Sequence, residues 1–288
     1  MDVLPKIRAD TLAPASALTA DGSLRLAFRR RGTGTELAQL EQRSPLRAFL
    51  PRPERADVPT AILANTAGGV VGGDRLRTEI VLEGRAEALV TSQAAEKIYR
   101  SAGPIASILT RLQVADGAWL DWLPQETILF DGTRLERRLI IDVAGDGRAL
   151  AGEMLVFGRL ARGESLATGL LRDGWRIHHA GRPVFADVLR LDRPAEQLAA
   201  PFGLAGGRAL ATLIYIGADA ASHLPTARGL LAGASARCGT SCLPPVLITR
   251  WLDPDPARLR DAYLTFRARL RQAITSSAVP PAPVSWAT

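Results

Sequence analysis

Strand-length segments that alternate apolar and polar residues recur along most of the chain. In SLRLAFRRRG (23–32), Leu24, Leu26 and Phe28 alternate with arginine and alanine, which is the pattern of a strand with one buried face. Further segments of this kind, separated by turn signals, occupy 60–69, 78–84, 107–117, 135–147, 208–217 and 245–253. Because helical periodicity is almost absent between them, the pattern predicts a mainly β fold, as a sandwich, a barrel or wound sheets.

Helical periodicity is clearest near the C-terminus. Asp255 is a suitable N-cap, and Pro256 suits the first helical position. The residues that follow place an apolar stripe opposite several arginines, and this stripe comprises Leu259, Tyr263, Phe266, Leu270 and Ile274. A second, weaker helix is predicted over 225–236.

Nothing in the composition divides the chain, so we predict a single domain over residues 1–288. Residues 1–22 are expected to be a loose lead-in. The proline-rich tail, 276–288, is expected to be disordered unless a partner orders it. The segment 44–59 contains four prolines and several charged residues and is predicted to be a loop.

The charge of the chain bears on its partners. The formal net charge of +7 is compatible with nucleic-acid binding, but only two of the 36 basic residues, Lys6 and Lys97, are lysine. A GC-rich genome explains such a skew towards arginine more simply than a phosphate-binding surface does. The arginines are also scattered along the sequence. Nucleic-acid binding is therefore an alternative interpretation and not the leading one.

The sequence also predicts where the protein acts. No window approaches the ~18 consecutive apolar residues of a membrane span, and the N-terminus lacks the apolar core of a signal peptide. The two cysteines, Cys238 and Cys242, are typical of a reducing compartment. A cytoplasmic protein is therefore expected.

Glycine and charge are concentrated in NTAGGVVGGDRL (65–76). Paired glycines let backbone N–H groups approach an anion, but the lysine and the helix of a phosphate-binding loop are missing, and a strand-like segment follows. We therefore interpret these glycines as turns in a β-rich fold. Nearby charged residues lie among glycines and apolar strand residues and are expected to be partly buried and paired, namely Asp74, Glu96, Lys97, Arg100, Glu126 and Asp131.

Signals for catalysis and for a resident metal site are weak. The chain has no nucleophile elbow. Its carboxylates could include a pair for general acid–base catalysis, so a β-helical carbohydrate-active enzyme is an alternative interpretation. Cys238 and Cys242 lack the second ligand pair of a closed metal site and are expected to be small buried thiols. His178 and His179 should point to opposite faces of a strand, so transient contact between one imidazole and nickel remains open.

Five longer segments occur in a specific order. They are NTAGGVVGGDRL (65–76), TSQAAEKIYRS (91–101), LPQETILFDG (123–132), GEMLVFGRLARGE (152–164) and WRIHHAGRPVFAD (175–187). The first three resemble the internal signatures of the urease accessory protein UreD family, called UreH in some organisms, and the other two are further matches that follow in order. The resemblance covers roughly residues 23–275. The chain departs from the family pattern at a cysteine-bearing loop, 237–243, and in the tail.

The resemblance implies a mainly β fold of wound, β-helix-like sheets with about two α-helices towards the C-terminal end. It also implies a scaffold and not an enzyme. Such a scaffold joins the accessory proteins UreF and UreG on the urease structural subunits and supports GTP-dependent nickel insertion, with no cofactor of its own and nickel handled transiently. On this interpretation, a polar nickel route or a partner interface is formed by Asp74, Glu96, Lys97, Tyr99, Arg100, Glu126, Asp131, Glu153 and His178.

Overall fold

The computed structural model describes residues 19–51 and 58–276. The strands are β1 (Asp21–Arg31), β2 (Gly34–Arg43), β3 (Leu46–Phe49), β4 (Thr60–Asn65), β5 (Arg75–Leu82), β6 (Glu87–Ser92), β7 (Glu96–Ile98), β8 (Ala106–Val114), β9 (Trp119–Leu123), β10 (Thr127–Leu129), β11 (Thr133–Val143), β12 (Arg148–Phe157), β13 (Gly169–His179), β14 (Arg182–Leu191), β15 (Ala209–Ile216), β16 (Arg237–Leu243) and β17 (Val246–Asp253). The α-helices are α1 (Pro194–Ala199), α2 (Leu224–Leu230) and α3 (Pro256–Thr275).

The strands form two sheets whose inner faces share one apolar core. The seven-stranded sheet has the order β14-β13-β11-β8-β5-β1-β2, and the ten-stranded sheet runs β16-β17-β15-β12-β9-β6-β4-β3, with β10 pairing with both β12 and β7. From β5 to β13 the chain alternates between the sheets, and within each sheet successive strands of this winding pair in parallel. This is the wound, β-helix-like arrangement, so the predicted fold class is confirmed.

Aliphatic side chains stack across the windings in register. One row of register partners crosses β5, β8, β11 and β13 and consists, in that order, of Ile80, Leu112, Ile141 and Ile177. Each of these side chains is 0% exposed. Burying a side chain of this size contributes about 1.5–3 kcal/mol. The repeated register therefore produces a continuous apolar wall, against which the ten-stranded sheet packs.

Helix α3 covers the outer face of the ten-stranded sheet and forms a second core there. The Asp255 side chain caps the helix by accepting hydrogen bonds from the backbone N–H groups of Ala257 and Arg258, as the sequence predicts. The rings of Tyr263 and Phe266 meet that of Trp251 edge-on, with centroids 5.7 and 5.0 Å away. The predicted apolar stripe is thus the buried face of the helix.

A buried carboxylate fixes the position of α3. Asp121 in β9 is 1% exposed and accepts hydrogen bonds from the guanidinium groups of Arg267 (2.9 Å) and Arg271 (2.7 Å). Trp119 Nε1 donates a third hydrogen bond to it at 2.8 Å. Since both arginines are on α3, this one aspartate ties the helix to the centre of the sheet.

Three local predictions were wrong because backbone pairing overrides the local signals. Within the predicted loop 44–59, Leu46–Phe49 forms β3 by pairing with β4. The cysteine-bearing segment 237–243 is strand β16, an edge strand paired with β17. Asp21 and Gly22 belong to β1 and not to the lead-in, whose first 18 residues lie outside the described residues. The weaker helix ends at Leu230, and the predicted tail lies outside the described residues from 277 onwards.

Within the described ranges, no helix combines the length and the apolar character that crossing a membrane requires.

Replacing Asp121 with alanine should destabilise the fold strongly, because it leaves two buried guanidinium groups without their acceptor. We expect the free energy of unfolding to fall by about 3–5 kcal/mol, measured by urea denaturation followed by circular dichroism. Glu79→Ala is the matched control, because its ion pair with Arg25 is partly exposed and should contribute less than about 1 kcal/mol. Equal losses in the two variants would contradict the assigned role of Asp121.

Candidate functional site

A cavity of about 210 Å³ lies between the two sheets beside the glycine-rich turn. At its exposed end, Asn65 donates a hydrogen bond from Nδ2 to Glu96 Oε1 at 3.2 Å, and Lys97 lies next to this pair. At its buried end, the cavity reaches Arg137 and Glu153. Three of the predicted site residues, Glu96, Lys97 and Glu153, therefore line one cavity.

The buried end of the cavity is a cluster of charged groups. The Arg137 guanidinium donates two hydrogen bonds to Asp173, from Nε at 2.9 Å and from Nη2 at 2.7 Å. Its Nη1 donates to Thr127 Oγ1 at 3.0 Å, and Nη2 lies 2.8 Å from Glu153 Oε2. All four residues are less than 8% exposed. One arginine thus faces two carboxylates in the interior of the sandwich.

A second cavity, of about 250 Å³, lies on the other side of the Arg137 cluster. It is bounded by β13 and β14 of one sheet and by β15 and β17 of the other, and Arg137 and Glu153 line it as well. Asp187 and Arg250, which form an ion pair of 2.5 Å between the two sheets, also line this cavity. Polar groups therefore extend from Glu96 through the buried cluster to Asp187.

The electrostatics of the two cavity carboxylates differ from those of exposed glutamates. Burial raises the pKa of Glu153 to about 7, and although Arg137 opposes this shift, the neighbouring Asp173 adds to it. Burial also raises the pKa of Glu96 to about 7, against the hydrogen bond from Asn65. Burial disfavours the charged Arg137, but Asp173 and Glu153 outweigh it and raise the arginine pKa. Near neutral pH, both glutamates can therefore exchange a proton, Glu153 beside the permanently charged Arg137 and Glu96 at the other end of the cavity.

The glycines around this cavity serve packing. A Cβ atom at Gly69 would lie 2.4 Å from the Tyr99 ring and 2.7 Å from the Lys97 carbonyl, and one at Gly72 would lie 2.1 Å from Ser101 Oγ. Asp74 also has a local role, since its carboxylate accepts backbone hydrogen bonds from Ala20 (2.7 Å) and Val71 (2.9 Å). Gly68, Gly69 and Gly73 have φ values of 76°, 154° and 94°, a conformation that favours glycine at turns, so the interpretation of the stretch as turns is confirmed.

Two further predicted residues join separate elements. The Glu126 carboxylate pairs with Arg260 and so links the segment before β10 to α3. Burial opposes ionisation of Asp131, but hydrogen bonds from Thr168 and Ala167 hold its pKa below the usual range, and Arg100 pairs with it at 2.9 Å.

The remaining predicted residues have separate surroundings. Tyr99 packs edge-on against Phe130 with ring centroids 5.0 Å apart. His178 lies on the outer face of the seven-stranded sheet, where its Nδ1 is 2.8 Å from Asp142 Oδ1, so it does not join the cavity residues.

Cys238 and Cys242 are half-buried and four residues apart on β16, which separates them by about 13 Å along the strand. The described residues do not gather three or more histidines, cysteines or carboxylates that could hold a metal ion.

Arg137 and Asp173 are the functional candidates that the sequence analysis missed. Each lies two residues before a buried apolar residue, Leu139 and Trp175 respectively, on the inward-facing side of its strand. An ionisable residue in phase with buried positions needs a buried partner, and both residues carry that signal. Asp173 is also the register partner of Arg137 across β11 and β13.

The geometry bears on the enzyme alternative. Asp173 and Glu153 are buried and share one arginine, whereas a carboxylate pair for glycoside hydrolysis must flank a substrate in an accessible groove. The fold and the site therefore define a wound β protein with an enclosed polar interior.

Comparisons with known proteins specify this class. The family model described as UreD urease accessory protein matches residues 20–287. The urease accessory protein UreD of Azorhizobium caulinodans is 40% identical over 93% of this chain and 96% of its own length. The urease accessory protein UreD of Methylobacterium sp. (strain 4-46) is 45% identical over 80% of this chain and 84% of its own length. The urease accessory protein UreD of Xanthobacter autotrophicus is 42% identical over 93% of this chain and 90% of its own length.

The chain therefore belongs to the UreD family of urease accessory proteins, and the resemblance of the five signature segments is confirmed. The family consists of accessory proteins and not of catalytic enzymes, and its role is in urease maturation.

The raised pKa of Glu153 should make the stability of the fold depend on pH. A carboxyl whose pKa is about 7 when folded and near 4.5 when unfolded binds more protons in the folded state between these values, so its contribution to stability falls as pH rises through about 7. Glu153→Gln keeps the shape and removes the titration. We expect its free energy of unfolding, relative to that of the wild type, to increase by about 1–3 kcal/mol from pH 5 to pH 8.

The measurement is urea denaturation at both pH values. Glu136→Gln, at an exposed ion pair with Arg138, is the control and should show no such trend. A pH-independent difference between Glu153→Gln and the wild type would contradict the shifted pKa.

Proposed function

We propose that this protein is a scaffold for urease maturation that carries Ni²⁺ along the polar interior between its two sheets. The observation that carries the proposal is the Arg137–Glu153–Asp173 cluster, which borders both cavities. Membership of a family of urease accessory proteins supplies the setting. Nickel is the cargo here and not a resident cofactor.

The chemistry of the interior suits passage. Oxygen ligands and an occasional imidazole hold Ni²⁺ loosely enough for release, whereas a thiolate cage would retain it. Glu96 and Glu153, with pKa values of about 7, can release a proton when the cation arrives and regain it when the cation leaves. Arg137 stays charged and pairs with Asp173 and Glu153, so its positive charge limits how strongly these two carboxylates can bind a cation.

The assembly in this proposal contains UreF, the GTPase UreG and the structural subunits of apo-urease, and it works in the cytoplasm. The chain supplies the scaffold and the route, and UreG supplies the energy of GTP hydrolysis. Glu126 and Asp131 keep a structural part in this account, because they hold α3 and the 164–168 segment in place around the route.

Urease activation in cells tests the proposal. The gene is deleted from a urease-positive host and restored as the wild type, Glu96→Gln, Glu153→Gln or the exposed control Glu196→Gln. We expect the deletion and both cavity variants to lower urease activity and the nickel content of purified urease severalfold, because an amide cannot become an anionic ligand. The control should match the wild type.

The outcomes separate the two parts of the proposal. Normal nickel content and activity in the deletion strain would remove the role in maturation. Normal values in both cavity variants, together with loss in the deletion strain, would keep that role and remove the internal route.

A further inference from the structure

The outer face of the seven-stranded sheet is strongly basic. Strand parity places twelve arginines on it against six carboxylates, an excess of six positive charges in a chain whose total is +7. The arginines are Arg25, Arg29, Arg31, Arg43, Arg75, Arg77, Arg111, Arg134, Arg138, Arg172, Arg176 and Arg190, and the carboxylates are Asp21, Glu36, Glu41, Glu79, Glu136 and Asp142. Arginines that are scattered in the sequence thus converge on one surface.

Several of these arginines have no carboxylate partner. Arg111, Arg172 and Arg176 are exposed and form no ion pair within the described part of the chain. Arg172 is also directly opposite Arg190 across β13 and β14. Like charges in opposing positions of a sheet are destabilising, so the Arg172–Arg190 contact is unfavourable, and Glu136, the register partner of Arg172 on β11, offsets part of it. A partner that brings negative charge would relieve it.

Aliphatic side chains separate the guanidinium groups. Ile140 is the register partner of both Arg111 and Arg176, and Arg138 lies in one row with Leu109 and Gly174. Val188, opposite Gly174, is 55% exposed. A surface of arginine and aliphatic groups has the composition of a protein interface, in which arginine is enriched.

We propose that this basic face binds an acidic surface of a protein partner in the maturation assembly. The inference rests on the proposed function for its setting. Nucleic acid fits less well, because the six carboxylates would repel a polyphosphate backbone and no Phe, Tyr or Trp side chain on this face offers a stacking surface among the described strands. Charge complementarity across such an interface favours fast and specific docking.

Charge reversal on the face tests the proposal. The tagged full chain carrying Arg111→Glu, Arg172→Glu and Arg176→Glu is co-expressed with the urease subunits and the accessory proteins, and each co-purified protein is quantified. We expect at least one of these partners to be lost by about tenfold or more, since like charges then meet across the interface. In the wild type, binding of that partner should weaken as added salt shortens the Debye length from ~10 to ~3 Å.

The matched control reverses three other exposed and unpaired arginines, as Arg162→Glu, Arg228→Glu and Arg269→Glu, which lie off this sheet. It changes the net charge equally and should keep every partner. Folding is tested separately by the single variant Arg176→Glu, whose Tm should match that of the wild type, because its register partners Ile140 and Ala186 carry no charge. Rescue by lysine at the three positions should restore binding.

Two results would overturn the inference. One is retention of all partners by the reversed variant at the wild-type level. The other is a gel shift of short duplex DNA by the wild type that the reversed variant loses, which would assign the face to nucleic acid. If the wild type itself captures no urease or accessory protein, or fails to activate urease in the deletion host, the proposed function fails first.

Discussion

The guanidinium of Arg137, buried between two carboxylates, is the constraint on which the centre of the structure depends. Removing an ion from water costs several kcal/mol unless partners surround it, so Arg137 requires Asp173, Glu153 and Thr127 around it. These partners come from three other strands. A slip of one residue in β11 would turn the arginine outward and the apolar positions of that strand with it. The charge cluster and the aliphatic register therefore reinforce one another.

This constraint also explains how the charged residues of the signature segments divide their roles. Asp74 and Asp131 accept backbone hydrogen bonds, and Glu126 pairs with α3, so these side chains hold turns and elements together. Glu96 and Glu153 remain at the cavity with raised pKa values. The route that we propose depends on this second group, while the first group maintains the walls around it.

That the fold is mainly β could be predicted from alternation and turn signals, because in a strand with one buried face every second residue is apolar, whereas the wound arrangement was implied by the family resemblance. Helix α3 could also be predicted from the sequence, since the N-cap Asp255, Pro256 in the first turn and the apolar stripe all indicate the same helix. Strands such as β12, buried almost throughout, show no alternation, and β3 exists only because β4 pairs with it. Long-range pairing decides such elements.

Prediction of the candidate site was more limited. The signature segments located Glu96 and Glu153, but Arg137 lies outside them. It can be recognised only from the alternation of β11, which places position 137 on the buried side of the strand. His178 shows the opposite case, because a residue inside a signature segment lies on the outer face of the sheet. Which charges meet in space depends on the winding, and sequence spacing does not contain that information.

A steric block of the first cavity tests the central claim of an internal route most directly. Ala95 lines the cavity near its exposed end, and Ala67 is exposed on the neighbouring turn without lining the cavity. The measurement is the nickel content of urease purified from the deletion host carrying Ala95→Trp or the control Ala67→Trp, alongside co-purification of each variant with urease. The account predicts low nickel with normal co-purification for Ala95→Trp and normal values for the control. Wild-type nickel content with the cavity blocked would contradict it.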